Sequence, residues 1–252
     1  MLFVEYQVLS INMTYADITI NDPNPVKRWL QQRRFSDAAS FLRSAEHNKQ
    51  IHILDFGAGD GEFICQIYGT PSIEAYVYEP NPTLMMEAKS KLVGFDKVIF
   101  IEKLSSIKPE TFNYIFCLEV FEHLPEKETV EAIREIDRML KPNGTAVIGV
   151  PHELFLPAAF KGLFRIFRRY GDFDATPGNI LRATLGSPPL QRPTNEISPG
   201  LTYHPHHLGF DYRTLEHILQ AEFQLEKKKF SPFPLLGAIL NSEVYFALKK
   251  AT

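Results

Sequence analysis

Between Ile51 and Val150, short apolar runs alternate with longer stretches of helical periodicity. That alternation restricts the chain to a largely parallel sheet with helices on its faces. Ile51–Phe56, Ala75–Tyr78, Val98–Ile101, Tyr114–Leu118 and Thr145–Val150 read as buried strands. Glu62–Tyr68, Thr83–Leu92 and Glu126–Leu140 read as the intervening helices, with Thr83 as an N-cap and Lys141-Pro142-Asn143-Gly144 as a stop. Val26–Leu42 is a candidate leading helix, and the residues before about Pro25 are weakly patterned. A helix near Tyr212–Ala221 and two strands, Phe223–Phe230 and Val244–Leu248, close the chain. Pro151 to Pro205 shows no clear strand; an excursion this long inside a compact domain is usually functional.

At 252 residues the chain can bury a full core without disulfides or structural metal. A net charge of −3 argues against a broadly basic nucleic-acid surface, and no DNA partner is expected. Cys65 and Cys117 lie in apolar stretches and read as buried thiols of a reducing compartment. Met1-Leu2-Phe3-Val4-Glu5 lacks the basic start of a secretory leader, so the expected location is cytoplasmic.

The sharpest local signal is Leu54-Asp55-Phe56-Gly57-Ala58-Gly59-Asp60-Gly61, a glycine loop between a strand and a helix. Such a loop lets backbone amides approach a ligand closely. About 20 residues further on, Glu79 ends the second strand, where an acid can take two ribose hydroxyls. A dinucleotide fingerprint would need glycine where Glu62 stands, and a pyrophosphate would sit badly beside Asp60 and Glu62. The acids suit a ligand with an ammonium group and no phosphate. A bare strand–helix connection is the plainer alternative for the loop alone.

Four segments together resemble the class I S-adenosylmethionine-dependent methyltransferases. Leu54–Gly61 resembles that family's first motif, Tyr78-Glu79-Pro80-Asn81 its ribose-side acid motif, and Asn113–Leu124 its fourth-strand motif. Leu140-Lys141-Pro142-Asn143-Gly144 resembles its late turn, with Asn143 in place of glycine. The resemblance implies an α/β, Rossmann-like, seven-stranded doubly wound sheet with an antiparallel last strand. A long lid-like insertion would follow the fifth strand. It implies one domain over 1–252: an N-terminal arm and helix at 1–45, a cofactor-binding core at 46–151, an acceptor-side insertion at 152–206 and a C-terminal helix and strand pair at 207–252. S-adenosylmethionine is the implied donor. Asp55, Gly57 and Gly59 would hold its methionyl end, Glu79 its ribose, Asn81 would flank the adenosine, and Glu102 is the candidate for the adenine amine. Glu119 and Val120 would lie beside the donor.

The acceptor is expected to be a small molecule or a lipid- or glycan-linked one, methylated on oxygen. On a helix over residues 157–170, Phe160, Leu163, Phe164 and Phe167 share one face and Lys161, Arg165, Arg168 and Arg169 another. The preferred reading is a lid whose apolar face packs over the active site. Peripheral membrane contact or phosphate binding through the basic face are the alternatives. Tyr203-His204-Pro205-His206-His207 offers a general base, with His207 as the candidate, or merely hydrogen bonds to the excursion's backbone. His47, His52 and His217 read as structural.

Glu119-Val120-Phe121-Glu122-His123 adds two carboxylates and an imidazole at the mouth of the fourth strand. Glu122 and His123 are the catalytic candidates alongside His207. Glu119, Glu122 and His123 could also form part of a divalent-metal shell, completed by His204, His206 or His207. That arrangement resembles metal-assisted RNA 3′-terminal 2′-O-methyltransferases. The metal-free reading is preferred, because many metal-free relatives carry a similar Glu-His pair. A nicotinamide-dependent oxidoreductase and a non-catalytic cofactor-binding module are the rivals from other classes.

Overall fold

The computed structural model describes residues 25–42, 50–70, 72–198 and 200–250; the arm before Pro25 and His47 lie outside them. Helix α1 (Pro25–Ala39) precedes β1 (Ile51–Phe56), α2 (Glu62–Ile67), β2 (Ile73–Tyr78), α3 (Pro82–Lys91) and β3 (Val98–Ile101). Then come β4 (Phe112–Leu118), α4 (Glu126–Met139) and β5 (Leu140–Pro151). Two helices, α5 (Phe155–Arg169) and α6 (Pro177–Thr184), and a ribbon of β6 (Asn195–Ser198) and β7 (Leu201–Tyr203) follow. Helix α7 (Tyr212–Glu222) leads to β8 (Phe223–Ser231) and β9 (Glu243–Lys250).

Seven strands form one sheet in the order β3-β2-β1-β4-β5-β9-β8. β1 to β5 run parallel, and β9 lies antiparallel between β5 and β8. The doubly wound sheet with its antiparallel last strand is thus present. Central parallel strands are covered on both faces, so their side chains are apolar in both directions. Ile53, Leu54, Ile115, Phe116, Val147 and Ile148 are all fully buried. Ala38 of α1, Phe63 and Ile64 of α2 and Ala88 of α3 cover one face. Ile133, Ile136 and Met139 of α4, with Leu215 and Leu219 of α7, cover the other.

Two local expectations change. Asn81, not Thr83, caps α3: its Oδ1 accepts from the N–H groups of Thr83 at 2.9 Å and Leu84 at 3.4 Å. Pro82 suits the first helical position, which makes the residue before it the cap. The 151–205 stretch, read from sequence as lacking strands, holds α5, α6 and the ribbon. Helices α5 and α6 pack at Gly162, where a Cβ would meet Ile180 Cγ2 at 2.5 Å.

The orientation of α5 also departs from the expected lid. Its apolar face points outward: Phe160 is 67% and Phe167 81% exposed, and Leu163, Phe164 and Tyr170 are exposed with them. Its basic face points inward, onto two buried acids. Lys161 Nζ and Arg165 Nη1 each lie 2.9 Å from the Glu153 carboxylate. Arg169 Nη2 lies 2.7 Å from Asp174, and Arg165 Nε 3.3 Å from the same carboxylate. A buried carboxylate without a counter-charge is penalised by several kcal/mol, so these pairs set the helix rotation. The apolar face is left outside by default.

Burial alone would raise the Glu153 carboxyl, but Lys161 and Arg165 hold it well below the usual carboxylate range. Glu153→Gln is therefore expected to cost about 3 kcal/mol in denaturant unfolding at neutral pH. Because the folded pKa is depressed, this stability is present above the unfolded value of about 4.3 and fades as pH falls below it. A variant as stable as wild type at neutral pH would refute this account.

Candidate functional site

The carboxyl ends of β1, β2 and β4 open onto one cavity of about 550 Å³. This is where open α/β sheets place their ligands, in the crevice outside the strand ends. Asp55, Gly57, Gly59, Glu79, Asn81, Glu119, Val120 and His123 all line it. Most of the candidates picked out from sequence are therefore brought together.

Each of these side chains is positioned by a local cause. Gly57 follows β1 at φ +78°, where a side chain is strained, and a Cβ there would meet Val120 Cγ2 at 2.4 Å. The chain can therefore turn tightly under the end of β4. Glu79 folds back onto this loop: Oε2 accepts from the Gly59 N–H and Oε1 from the Asn81 N–H, both at 2.8 Å. Burial raises the Glu79 carboxyl, while those two amides oppose the shift. Asp55, the penultimate residue of β1, is 2% exposed. Its Oδ2 has no hydrogen-bond partner among the described residues. Burial, with Glu79 and Asp60 beside it, pushes Asp55 up to about 8. A buried, unpartnered acid at the cavity wall fits an incoming ammonium group, as the methionyl end of S-adenosylmethionine would supply.

Two of the expected adenosine contacts change. The side chain of Glu102 is exposed and does not line the cavity, because β3 ends at Ile101 and the chain turns outward there. Leu104 supplies that part of the wall. Asn81 lines the cavity, but its carboxamide oxygen is committed to capping α3.

Residues that carried no sequence signal complete the site. Arg34 of α1 reaches into the cavity wall and bridges two acids. Its Nη2 lies 3.3 Å from Glu119 Oε2 and 2.7 Å from Glu243 Oε1. Glu119 sits at φ +57°, a strained backbone for a non-glycine residue directly after β4. The ribbon covers one side of the cavity through Ile197, Leu201, Thr202 and Tyr203, so the cover expected of α5 comes from β6 and β7. Thr202 Oγ1 anchors the ribbon by donating to Glu128 Oε1 at 2.6 Å.

The histidines separate into two groups. His123 and His207 meet at Glu122, with ring centroids 4.8 Å apart. His123 Nε2 lies 3.8 Å and His207 Nε2 4.0 Å from Glu122 Oε1. Burial pushes the Glu122 carboxyl up to about 8 and both imidazoles down, His207 strongly. His204 and His206 serve the backbone and a buried acid instead. His204 Nδ1 faces the Pro193 carbonyl oxygen at 2.9 Å, and His206 Nδ1 lies 3.4 Å from Asp174. Glu119, expected beside Glu122 as a metal ligand, is held by Arg34 and stands outside this cluster.

Two outcomes follow for the donor side. Glu79→Ala removes hydrogen bonds to an ionised acceptor, typically about 1.5–3 kcal/mol, and should weaken S-adenosylhomocysteine by roughly 10- to 150-fold in calorimetry. An affinity within twofold of wild type would contradict the ribose assignment. Asp55 is raised to about 8 in the free protein, so pairing it with an ammonium must release a proton. Affinity should rise between about pH 6 and 8, and the calorimetric heat should vary with the buffer's ionisation enthalpy.

Comparison with known proteins agrees with this geometry. A family model described as a methyltransferase domain matches residues 27–226. An uncharacterised methyltransferase of Oceanobacillus iheyensis is 27% identical over 120 residues, covering 47% of this chain and 55% of that protein. The chain thus spans about half the length of the curated relative it matches. Among solved structures, the N-methyltransferase NodS of Bradyrhizobium japonicum, in complex with S-adenosyl-L-homocysteine, superposes with a TM-score of 0.58 at 15% identity, over 98% of both chains. A protein of Pyrococcus horikoshii OT3 superposes at 0.56 with 14% identity, over 99% of this chain and 100% of its own. At such identities the likeness is one of fold. The family match over most of the chain goes further, and the chain belongs to the methyltransferase-domain family.

Proposed function

We propose that this methyltransferase acts on a hydroxyl group, and that its acceptor is lipid-linked. The observation that carries the first half is the Glu122–His123–His207 cluster. It groups two imidazoles and a carboxyl group, and its His123 lines the cavity. The sulfonium is already a strong electrophile, so alignment supplies much of the acceleration. A hydroxyl additionally needs its proton accepted. In the transfer, the acceptor oxygen forms a bond to the methyl carbon as the carbon–sulfur bond breaks. The electron pair leaves on sulfur, and the hydroxyl proton passes to a base at this cluster.

The second half is supported by the outward face of α5 and by Pro232–Leu240, nine residues without a charge, in which Leu235 is 101% exposed. Both segments adjoin the carboxyl edge of β5: Lys161 of α5 donates to the Ser242 carbonyl oxygen at 3.3 Å. Exposed apolar surface of this extent marks an interaction site, and a bilayer surface would present a lipid-linked acceptor at this edge. No helix among the described residues is long and apolar enough to cross a membrane. Lys161, Arg165 and Arg169 are tied to buried acids, and Arg168 stays exposed over the Phe164 ring, so the contact is mainly apolar.

The test is labelled methyl transfer from S-adenosylmethionine to a host-cell extract, split into lipid and aqueous fractions, with the product identified. Label on an ether or ester oxygen of a lipid supports the reading; label on nitrogen, or on RNA, overturns it. Phe160→Ser with Phe167→Ser should reduce flotation with neutral liposomes and transfer to lipid acceptors. Affinity for S-adenosylhomocysteine should be unchanged. Flotation that vanishes in high salt would contradict the apolar contact.

A further inference from the structure

Glu122 follows β4 in the single turn Phe121–His123 and is fully buried. Neither of its carboxylate oxygens has a hydrogen-bond partner among the described residues. Arg192 is near, but its Nη2 donates to the Glu122 and His206 carbonyl oxygens, not to the carboxylate. Leaving a buried carboxylate without a partner is costly, so such groups are paired or coordinate metals. The groups that face it are two imidazoles.

His123 Nδ1 lies 2.7 Å from the His204 carbonyl oxygen. A carbonyl can only accept, so the proton resides on Nδ1 and the Nε2 lone pair is free. That Nε2 is 3.8 Å from Glu122 Oε1, and His207 Nε2 is 4.0 Å from the same oxygen. One donor atom of each residue lies within 4.8 Å of the other two. These separations are too long for hydrogen bonds. They suit three ligands around one ion, because bonds of roughly 2.1 Å leave donors about 3.4 Å apart at the tetrahedral angle. The backbone carbonyl behind His123 is the kind of outer partner that fixes a ligating imidazole in one tautomer.

We propose that Glu122, His123 and His207 bind one divalent transition-metal ion beside the donor cavity. Glu119 is not among the ligands, because Arg34 holds it. His123 lines the cavity, so the ion's remaining coordination positions can face the acceptor. Two nitrogens and one oxygen favour Zn²⁺, Co²⁺ or Mn²⁺ over Ca²⁺ or Mg²⁺. With the ion bound, an acceptor hydroxyl at an open position would have its pKa lowered, and its proton would leave to solvent water, because all three side chains then hold the ion. That catalytic consequence rests on the O-methylation reading; the binding of the ion does not.

The experiment uses the full chain, stripped with a chelator and dialysed, then titrated with Co²⁺ followed by visible absorption and with Zn²⁺ or Mn²⁺ by calorimetry. One ion per chain is expected, with the ligand-field bands of an imidazole site. His207→Ala and Glu122→Gln should each weaken binding by at least roughly 10- to 100-fold. Circular dichroism and S-adenosylhomocysteine affinity should stay at wild-type values, which separates loss of the ion from loss of the fold. A cobalt spectrum that stays that of the aqueous ion at millimolar concentration overturns the proposal. So does binding that both variants retain. An ion bound at this site in a protein that labels nitrogen would leave the metal site standing and remove the O-methylation reading.

Discussion

The organisation of the active edge follows from one constraint: carboxylates buried at the carboxyl end of a parallel sheet must each be met by positive charge or a proton. Asp55, Glu119, Glu122, Glu153 and Glu243 are all withdrawn from solvent there. Glu153 takes Lys161 and Arg165, and that choice rotates α5. Glu119 and Glu243 share Arg34, which ties the leading helix to the ends of β4 and β9. Asp55 and Glu122 keep oxygens with no partner among the described residues, and both stand at or beside the donor cavity. Glu119 and Glu243 also keep one such oxygen each, but both are bridged by Arg34, whereas Asp55 and Glu122 have no Lys or Arg bridge among the described residues and are the acids that suit a ligand.

The same logic explains the outward apolar face of α5. The helix cannot bury both its sides, and two buried acids, Glu153 and Asp174, claim the basic one. Turning Phe160 and Phe167 inward would leave those carboxylates uncompensated, at several kcal/mol each. An amphipathic helix with its polar side inside is unusual for an isolated domain, and it connects the protein's surface to the proposed nature of its acceptor. Covering the donor cavity is left to a much smaller element, the β6–β7 ribbon pinned by Thr202 to Glu128.

The strands of the sheet and the donor loop were legible in the sequence because each depends on local pattern; the strand order came from the structure. Continuous apolar runs specify buried parallel strands. Gly57 and Gly59 specify a loop that only residues without a side chain can follow closely. Glu79 stands at the end of its strand, a fixed distance along the βαβ unit. Glu122, His123 and His207 were also found, as residue types capable of the chemistry. Their grouping, with His204 and His206 turned elsewhere, depended on how the excursion folds back, and residue type carries no information about that.

What the sequence by itself determined is therefore the α/β class, the family and the place of the glycine loop and Glu79, since these are written in periodicity and in short motifs within one βαβ unit. The tertiary structure alone decided which way α5 faces, that Glu102 points to solvent, that Arg34 joins Glu119 to Glu243, and that Glu122 gathers two imidazoles and not Glu119. Apart from Glu102, which lies beyond the end of β3, these are electrostatic contacts that no short motif encodes. A charge's partner is set by which buried groups the fold brings within a few ångströms, and no local pattern encodes that distance.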